Sequence, residues 1–237
     1  MKQINLAYLL PNFFTALSAF FGVMSIIASS QGKFEKAFIY IILSLIADGL
    51  DGRIARITNT TSKFGVEFDS LADMVAFGVA PAMMLFFAIG EKFGKFGALI
   101  RGIYVVFGAI RLARFNVTTG DIDPKYFIGL PIPTAAVVLS SWIMLDVKYR
   151  GNFDILILLG GFFLAFLMVS NFRYPSFKKI NFNKNVAMKV LVFIIFIASL
   201  IYLYPIESIA IILTLYVLYG FIRGLINYLK VLKVTKR

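Results

Sequence analysis

An all-α, polytopic integral membrane protein is the fold class this sequence predicts, and three observations carry it. Of 237 residues, 60% are hydrophobic and the mean hydropathy is +0.87, whereas a soluble domain of this length is nearer half apolar. Apolar segments recur along the chain with short polar turns between them. No stretch is long and polar enough to form a second domain, so residues 1–237 read as one membrane domain. Lysine and arginine, finally, gather in alternate turns, as they do in chains that cross a membrane repeatedly.

Residues 1–11 carry one charge, Lys2, and end at Pro11. They predict a short N-terminal interfacial helix and no cleaved signal, since no A-x-A site follows. About eight transmembrane helices are then predicted, near 12–30, 36–57, 64–89, 96–115, 131–146, 153–170, 186–203 and 207–228. The first opens on Asn12 and Thr15. The second carries Asp48, Asp51 and Arg56 at its C-terminal end. A turn at Thr58–Lys63, rich in Thr, Ser and Asn, leads to the third, whose first turns hold Asp69 and Asp73. The fourth ends in Arg111-Leu-Ala-Arg114-Phe-Asn116, and its following loop closes with Gly129-Leu-Pro131-Ile-Pro133. The fifth and sixth flank a polar turn at 147–152. A basic loop, Ser170-Asn171-Phe-Arg173-Tyr174-Pro175-Ser176-Phe-Lys178-Lys179, precedes the last two, which are simply apolar and end in the basic tail from Lys230.

An even span count puts both termini on one side. That side holds 17 of the 24 lysines and arginines and the other holds 7. The bias places both termini and the aspartate turn in the cytoplasm, with the chain in the cell membrane. It also gives the net charge of +12 a partner: anionic membrane lipid, not nucleic acid. Cysteine and histidine are absent, which removes thiol nucleophiles, disulfides, Cys/His zinc sites and histidine bases. Acid–base chemistry is left to Asp, Glu, Lys or Tyr, and oxygen ligands favour Mg²⁺, Mn²⁺ or Ca²⁺.

Residues 48–73 hold four aspartates, one third of the 12 acidic residues in the chain. Asp48 and Asp51 are i,i+3 and Asp69 and Asp73 are i,i+4, so each pair shares a helix face, and the short turn brings both pairs to one depth. Gly52 and Gly65 fall on those faces and leave room for something bulky. Four carboxylates in an apolar setting repel one another and lose hydration, which a pair of divalent cations resolves. The ordinary alternatives are solvated helix ends, or carboxylates paired with Arg53, Arg56 and Lys63. A cation-coupled transporter is the other functional class, although carriers place such charges nearer mid-membrane.

The pattern Asp48-x2-Asp51-Gly52-x2-Ala55-Arg56-x8-Gly65-x3-Asp69-x3-Asp73 resembles the signature of the CDP-alcohol phosphotransferases at all eight fixed positions. The resemblance implies a membrane enzyme in which an alcohol attacks the β-phosphorus of a CDP-linked lipid and CMP leaves. It implies that Asp48 and Asp69 bridge two metals, with Asp51 on one and Asp73 on the other. Asp73 also serves as general base. Gly52 and Arg56 contact CDP, Ala55 and Gly65 allow close approach, and Asn12, Thr15 and Ser62 complete the nucleotide pocket. Asn12 and Thr15 equally suit a plain helix N-terminus. A homodimer follows from the same resemblance.

The segments 111–133 and 170–179 are similar to those of the phosphatidylserine synthase branch, which uses CDP-diacylglycerol, or CDP-archaeol in its ether-lipid form, and L-serine. Arginine binds carboxylates in a bidentate fork, so Arg111, Arg114 and Arg173, with Asn116 and Lys178, are the candidate serine-binding residues. Anchoring to lipid phosphates is the competing role for these cations. Inositol phosphate or glycerol-3-phosphate is the alternative acceptor.

Overall fold

A backbone without water must satisfy its polar groups internally, and this one does so by winding into helices. The computed structural model describes residues 9–118, 126–175 and 184–235. Helix α1 spans Leu9–Ser30, α2 Phe34–Ile57 and α3 Lys63–Asp73. A π-helical turn, Met74–Val79, carries α3 directly into α4, Ala80–Ala88, and a 3₁₀ turn, Gly90–Phe93, leads to α5, Gly94–Thr118. Strand β1, Tyr126–Ile128, precedes α6, Ile132–Tyr149, and α7, Asp154–Val169. Strand β2, Arg173–Pro175, precedes α8, Lys184–Leu203, and α9, Pro205–Thr235.

Each predicted span is occupied by helix, with boundaries moved by a few residues and α9 running on to Thr235. Among the described residues, four helical stretches are long and apolar enough to cross a membrane: Leu9–Ser30, Lys63–Ala88, Gly90–Thr118 and Pro205–Leu229. Asp154–Val169 and Val190–Leu203 are apolar but shorter. One boundary needs correcting. Leu9 and Leu10 are already helical, so Pro11 lies within α1 and the first span does not start after it. Residues 1–8 of the predicted interfacial helix lie outside the described residues.

Small and hydroxylic residues let the helices approach. The buried stripe of α1 runs Pro11, Thr15, Ser18, Gly22, Ser25 and Ala28. The Ser18 hydroxyl donates to the Ser44 carbonyl at 3.2 Å, the Ser44 hydroxyl returns the bond to the Ser18 carbonyl at 2.9 Å, and Ser25 donates to the Ala37 carbonyl at 2.9 Å. These bonds lock α1 onto the aspartate-bearing helix α2. A Cβ on Gly22 would stand 2.8 Å from Cα of Ala76, so α1 also meets the π turn at backbone distance. That turn begins directly after Asp73. Pro81 has no N–H to offer the Phe77 carbonyl, and the Ala80 N–H reaches back five residues to Val75.

The two loops predicted as irregular pair with each other. Strands β1 and β2 form an antiparallel ribbon with Tyr126 opposite Pro175, Phe127 opposite Tyr174 and Ile128 opposite Arg173. The ribbon rests on α9. A Cβ on Gly220 would be 2.1 Å from the Tyr174 ring, and one on Gly224 2.4 Å from the Phe172 ring. Arg223 lies 5.0 Å over the Tyr126 ring and donates to its hydroxyl at 3.3 Å. The last helix is thus the platform for the ribbon. At the opposite ends of the helices, Lys92 pairs with Asp154 at 2.8 Å and Lys148 with Glu207 at 2.5 Å.

Candidate active site

The turn between α2 and α3 is built to be short. The Thr60 N–H donates to the Ala55 carbonyl at 3.0 Å, Asn59 adopts φ 53°, and the Ser62 hydroxyl caps α3 by accepting from the Gly65 N–H at 3.0 Å. Residues 58–62 therefore suffice to reverse the chain, and the two aspartate pairs meet. Carboxylate oxygens of Asp48, Asp51 and Asp69 lie within 4.8 Å of one another. Asp51 is only 5% exposed and accepts a 2.6 Å hydrogen bond from the Thr15 hydroxyl. Asp73 faces Asp48 at hydrogen-bonding range, and the Arg111 guanidinium is near enough for its charge to act on both.

Among the described residues, none of the four forms an ion pair with Arg53, Arg56 or Lys63. The reading of these aspartates as ordinary paired helix ends does not survive that observation. Three carboxylates at such spacing repel strongly in a low-dielectric setting unless cations sit among them. The donor set is oxygen only, half-buried to buried, and fits a hard divalent ion.

Beside the cluster lies a cavity of about 230 Å³. Its lining includes Asn12, Thr15, Gly52, Ala55, Arg56, Ser62 and Gly65, which are all seven residues expected to meet the CDP group, together with Asp51 and Asp69. Sequence reasoning missed Pro11, Thr60, Thr61 and Val66, although the run of hydroxyl residues at 58–62 was the signal for the two threonines. A Cβ on Gly52 would meet nothing within 4 Å, so its bareness opens space that no protein atom fills. Gly65 is different: a Cβ there would press 3.2 Å from Ser62 Oγ and 3.4 Å from Asn12 Oδ1. The Arg56 Nε donates to the Gly52 carbonyl at 2.8 Å, holding the exposed guanidinium at the cavity edge.

The two segments expected on the acceptor side converge, and Arg114 is the knot. One guanidinium nitrogen donates to the Val169 carbonyl at 2.9 Å and to Asn171 Oδ1 at 3.4 Å. The other reaches the carbonyls of Ser170, Met168 and Ile128 at 3.0, 3.2 and 3.3 Å. Arg114 thereby caps the C-terminus of α7 and holds the ribbon, and its fork is already occupied. Gly129 sits against it with φ 75°, and a Cβ there would fall 2.3 Å from the Met168 oxygen and 2.6 Å from Arg114 Nη2. Gly129→Ala is therefore expected to destabilise the fold by about 3 kcal/mol or more, from combined backbone strain and overpacking. A thermal melt in detergent checks this, and an unchanged midpoint would contradict it.

Arg111 is placed differently from Arg114. It is 7% exposed, its Nε has no hydrogen-bond partner among the described residues, and it lies 5.3 Å over the Phe115 ring on the side of Asp73. Asn116 does not open toward a vacant space: its amide donates to the Ser70 hydroxyl on α3 at 2.9 Å. Arg173 is exposed on β2, and Lys178 lies outside the described residues.

A family model described as CDP-alcohol phosphatidyltransferase matches residues 8–167. A Helicobacter pylori protein named CDP-diacylglycerol--serine O-phosphatidyltransferase is 49% identical over 97% of this chain and 96% of its own length. A Methanocaldococcus jannaschii protein of the same name is 34% identical over 94% and 98%. A Methanothermobacter thermautotrophicus protein named archaetidylserine synthase is 36% identical over 73% and 72%.

Proposed function

The chain belongs to the CDP-alcohol phosphatidyltransferase family, and from that premise we propose that it transfers the phosphatidyl or archaetidyl group of a CDP-activated lipid to the hydroxyl of L-serine, releasing CMP. The observation that carries this reading is the single cavity in which all seven expected CDP contacts meet two of the signature aspartates. The names of the relatives supply the acceptor.

Asp48, Asp51, Asp69 and Asp73 would hold two divalent cations, Mg²⁺ or Mn²⁺, and Ca²⁺ suits the same oxygen ligands. Bound there, such ions neutralise the pyrophosphate and stabilise the departing CMP. The rest falls to the chain. Thr15 orients Asp51 through its 2.6 Å bond. Gly52, Ala55 and Gly65 leave space for the nucleotide, and Asn12, Ser62 and Arg56 offer it polar and cationic contacts. Asp73 takes the proton of the serine hydroxyl as that oxygen attacks the β-phosphorus. Arg111, with an unpaired buried Nε beside Asp73, holds the serine carboxylate. Arg114 shapes the wall behind it, Arg173 brings cationic charge from the ribbon side, and Lys178 is assigned to the acceptor by the sequence resemblance alone.

The same reading takes α1, α2, the continuous 63–88 helix and α5 to α9 as eight crossings of the cell membrane within one domain. The packing of Phe172 and Tyr174 on α9 supports including the last helices. The lysine and arginine bias, 17 against 7, supports a cytoplasmic active site and termini. A homodimer belongs to this proposal as well, and cross-linking in native membranes tests it.

Purified protein supplied with CDP-diacylglycerol, labelled serine and Mn²⁺ is expected to make labelled lipid and CMP in equal amounts. Chelation by EDTA is expected to stop the reaction, and added Mg²⁺ or Mn²⁺ to restore it. Product with inositol phosphate or glycerol-3-phosphate, but not with serine, would overturn the acceptor.

A further inference from the structure

Ser70 stands between the metal-site residue Asp69 and the base Asp73 on α3, and no chemistry has been given to it. The Asn116 amide, on α5, donates to its hydroxyl at 2.9 Å, and the hydroxyl's own proton is shared between the Val66 carbonyl at 3.1 Å and Asn116 Oδ1 at 3.3 Å. This side-chain pair joins two helices directly. One carries Asp73, three residues on from Ser70, and the other carries Arg111, five residues before Asn116. Sliding or rotating α3 against α5 would break the pair and change the separation of Asp73 from Arg111.

We propose that Ser70 and Asn116 are positioning residues that fix the register of the base-bearing helix against the arginine-bearing helix, and so select an acceptor whose hydroxyl and carboxylate are as close as those of a β-hydroxy acid. The inference rests on the reading above, with Asp73 at the acceptor hydroxyl and Arg111 at its carboxylate. In serine the hydroxyl-bearing carbon is bonded to the carbon that carries the carboxylate. Homoserine inserts one methylene, lengthening that span by about 1.5 Å. A misplacement of that size is large for reacting groups, so the two acceptors report the register directly. The α5 end is itself tied down by Arg114, which holds the carbonyls of residues 168–170. The Ser70 link then carries that fixed frame to the aspartate helix.

The test is the ratio of kcat/KM for serine to kcat/KM for homoserine, measured in CDP-diacylglycerol micelles with Mn²⁺. Ser70→Ala and Asn116→Ala are each expected to lower the ratio roughly three- to tenfold, the size of one lost hydrogen bond. The double variant should fall no further, because both changes remove one link. Ser70→Thr, which keeps the hydroxyl, should restore the ratio, and the KM for the CDP-lipid should not move in any of them. Should Asn116→Ala fold poorly, Asn116→Leu keeps the size of the side chain but can neither donate to nor accept from Ser70, and is expected to lower the ratio as well. An unchanged ratio in Ser70→Ala, or additive effects in the double variant, would overturn the proposal. Native protein that makes no serine product would overturn the function assigned above instead, so the two failures are distinguishable.

Discussion

Asp73→Asn is expected to lower turnover by about a thousandfold or more while leaving the fold intact. In the proposed mechanism Asp73 is both base and metal ligand; general-base catalysis alone contributes roughly 10²–10⁴-fold, and the same change would remove a charged ligand. Asparagine keeps the size of the side chain and offers an amide where a carboxyl stood. It also removes one negative charge from a cluster in which Asp73 faces Asp48, and Asp48 lies with Asp51 and Asp69 inside 4.8 Å. Self-repulsion among the carboxylates therefore falls, and the melting midpoint in EDTA should rise or hold steady. The extra stability gained on adding Mn²⁺ should shrink. That opposition of signs separates a damaged site from a damaged fold. Full activity in Asp73→Asn would remove Asp73 from the base role.

The helices and the aspartate turn were legible because each rests on local rules. Apolar length sets a helix, hydroxyl residues set the short turn, and i,i+3 and i,i+4 spacing sets the carboxylate faces. The cavity was legible for a related reason, since most of its lining comes from one helical hairpin and the facing turn of α1. What stayed hidden depends on distant pairing. Nothing local says that 126–128 will lie against 173–175, because three-residue strands carry too little pattern. The roles of Gly220 and Gly224 were hidden for the same cause: an apolar helix reads alike whether it faces lipid or holds Tyr174 and Phe172. The arginines are the sharpest case. By composition Arg111 and Arg114 are equivalent, three residues apart on one helix. Only the fold shows that Arg114 is surrounded by backbone carbonyls while Arg111 retains a buried nitrogen, unpaired among the described residues, beside the aspartates.

That difference sets the second large expectation. Arg111→Lys keeps the positive charge near Asp48 and Asp73 but loses the planar fork that grips a carboxylate through two parallel bonds. The KM for serine should rise roughly 10- to 100-fold, the worth of a charge-assisted pair in a desolvated setting. The KM for the CDP-lipid should stay within about twofold, because Arg111 does not line the nucleotide cavity. Ethanolamine has the attacking hydroxyl without the carboxylate, so whatever slow reaction it supports should be insensitive to the change. Arg114→Lys provides the contrast. Its guanidinium caps α7 and braces Gly129, so its loss should lower the melting midpoint and reduce activity with every acceptor alike. If Arg111→Lys instead left serine KM unchanged and weakened the binding of Mn²⁺, the residue would be a counter-charge for the aspartates, and the acceptor carboxylate would have to be held by Arg173 or its neighbours.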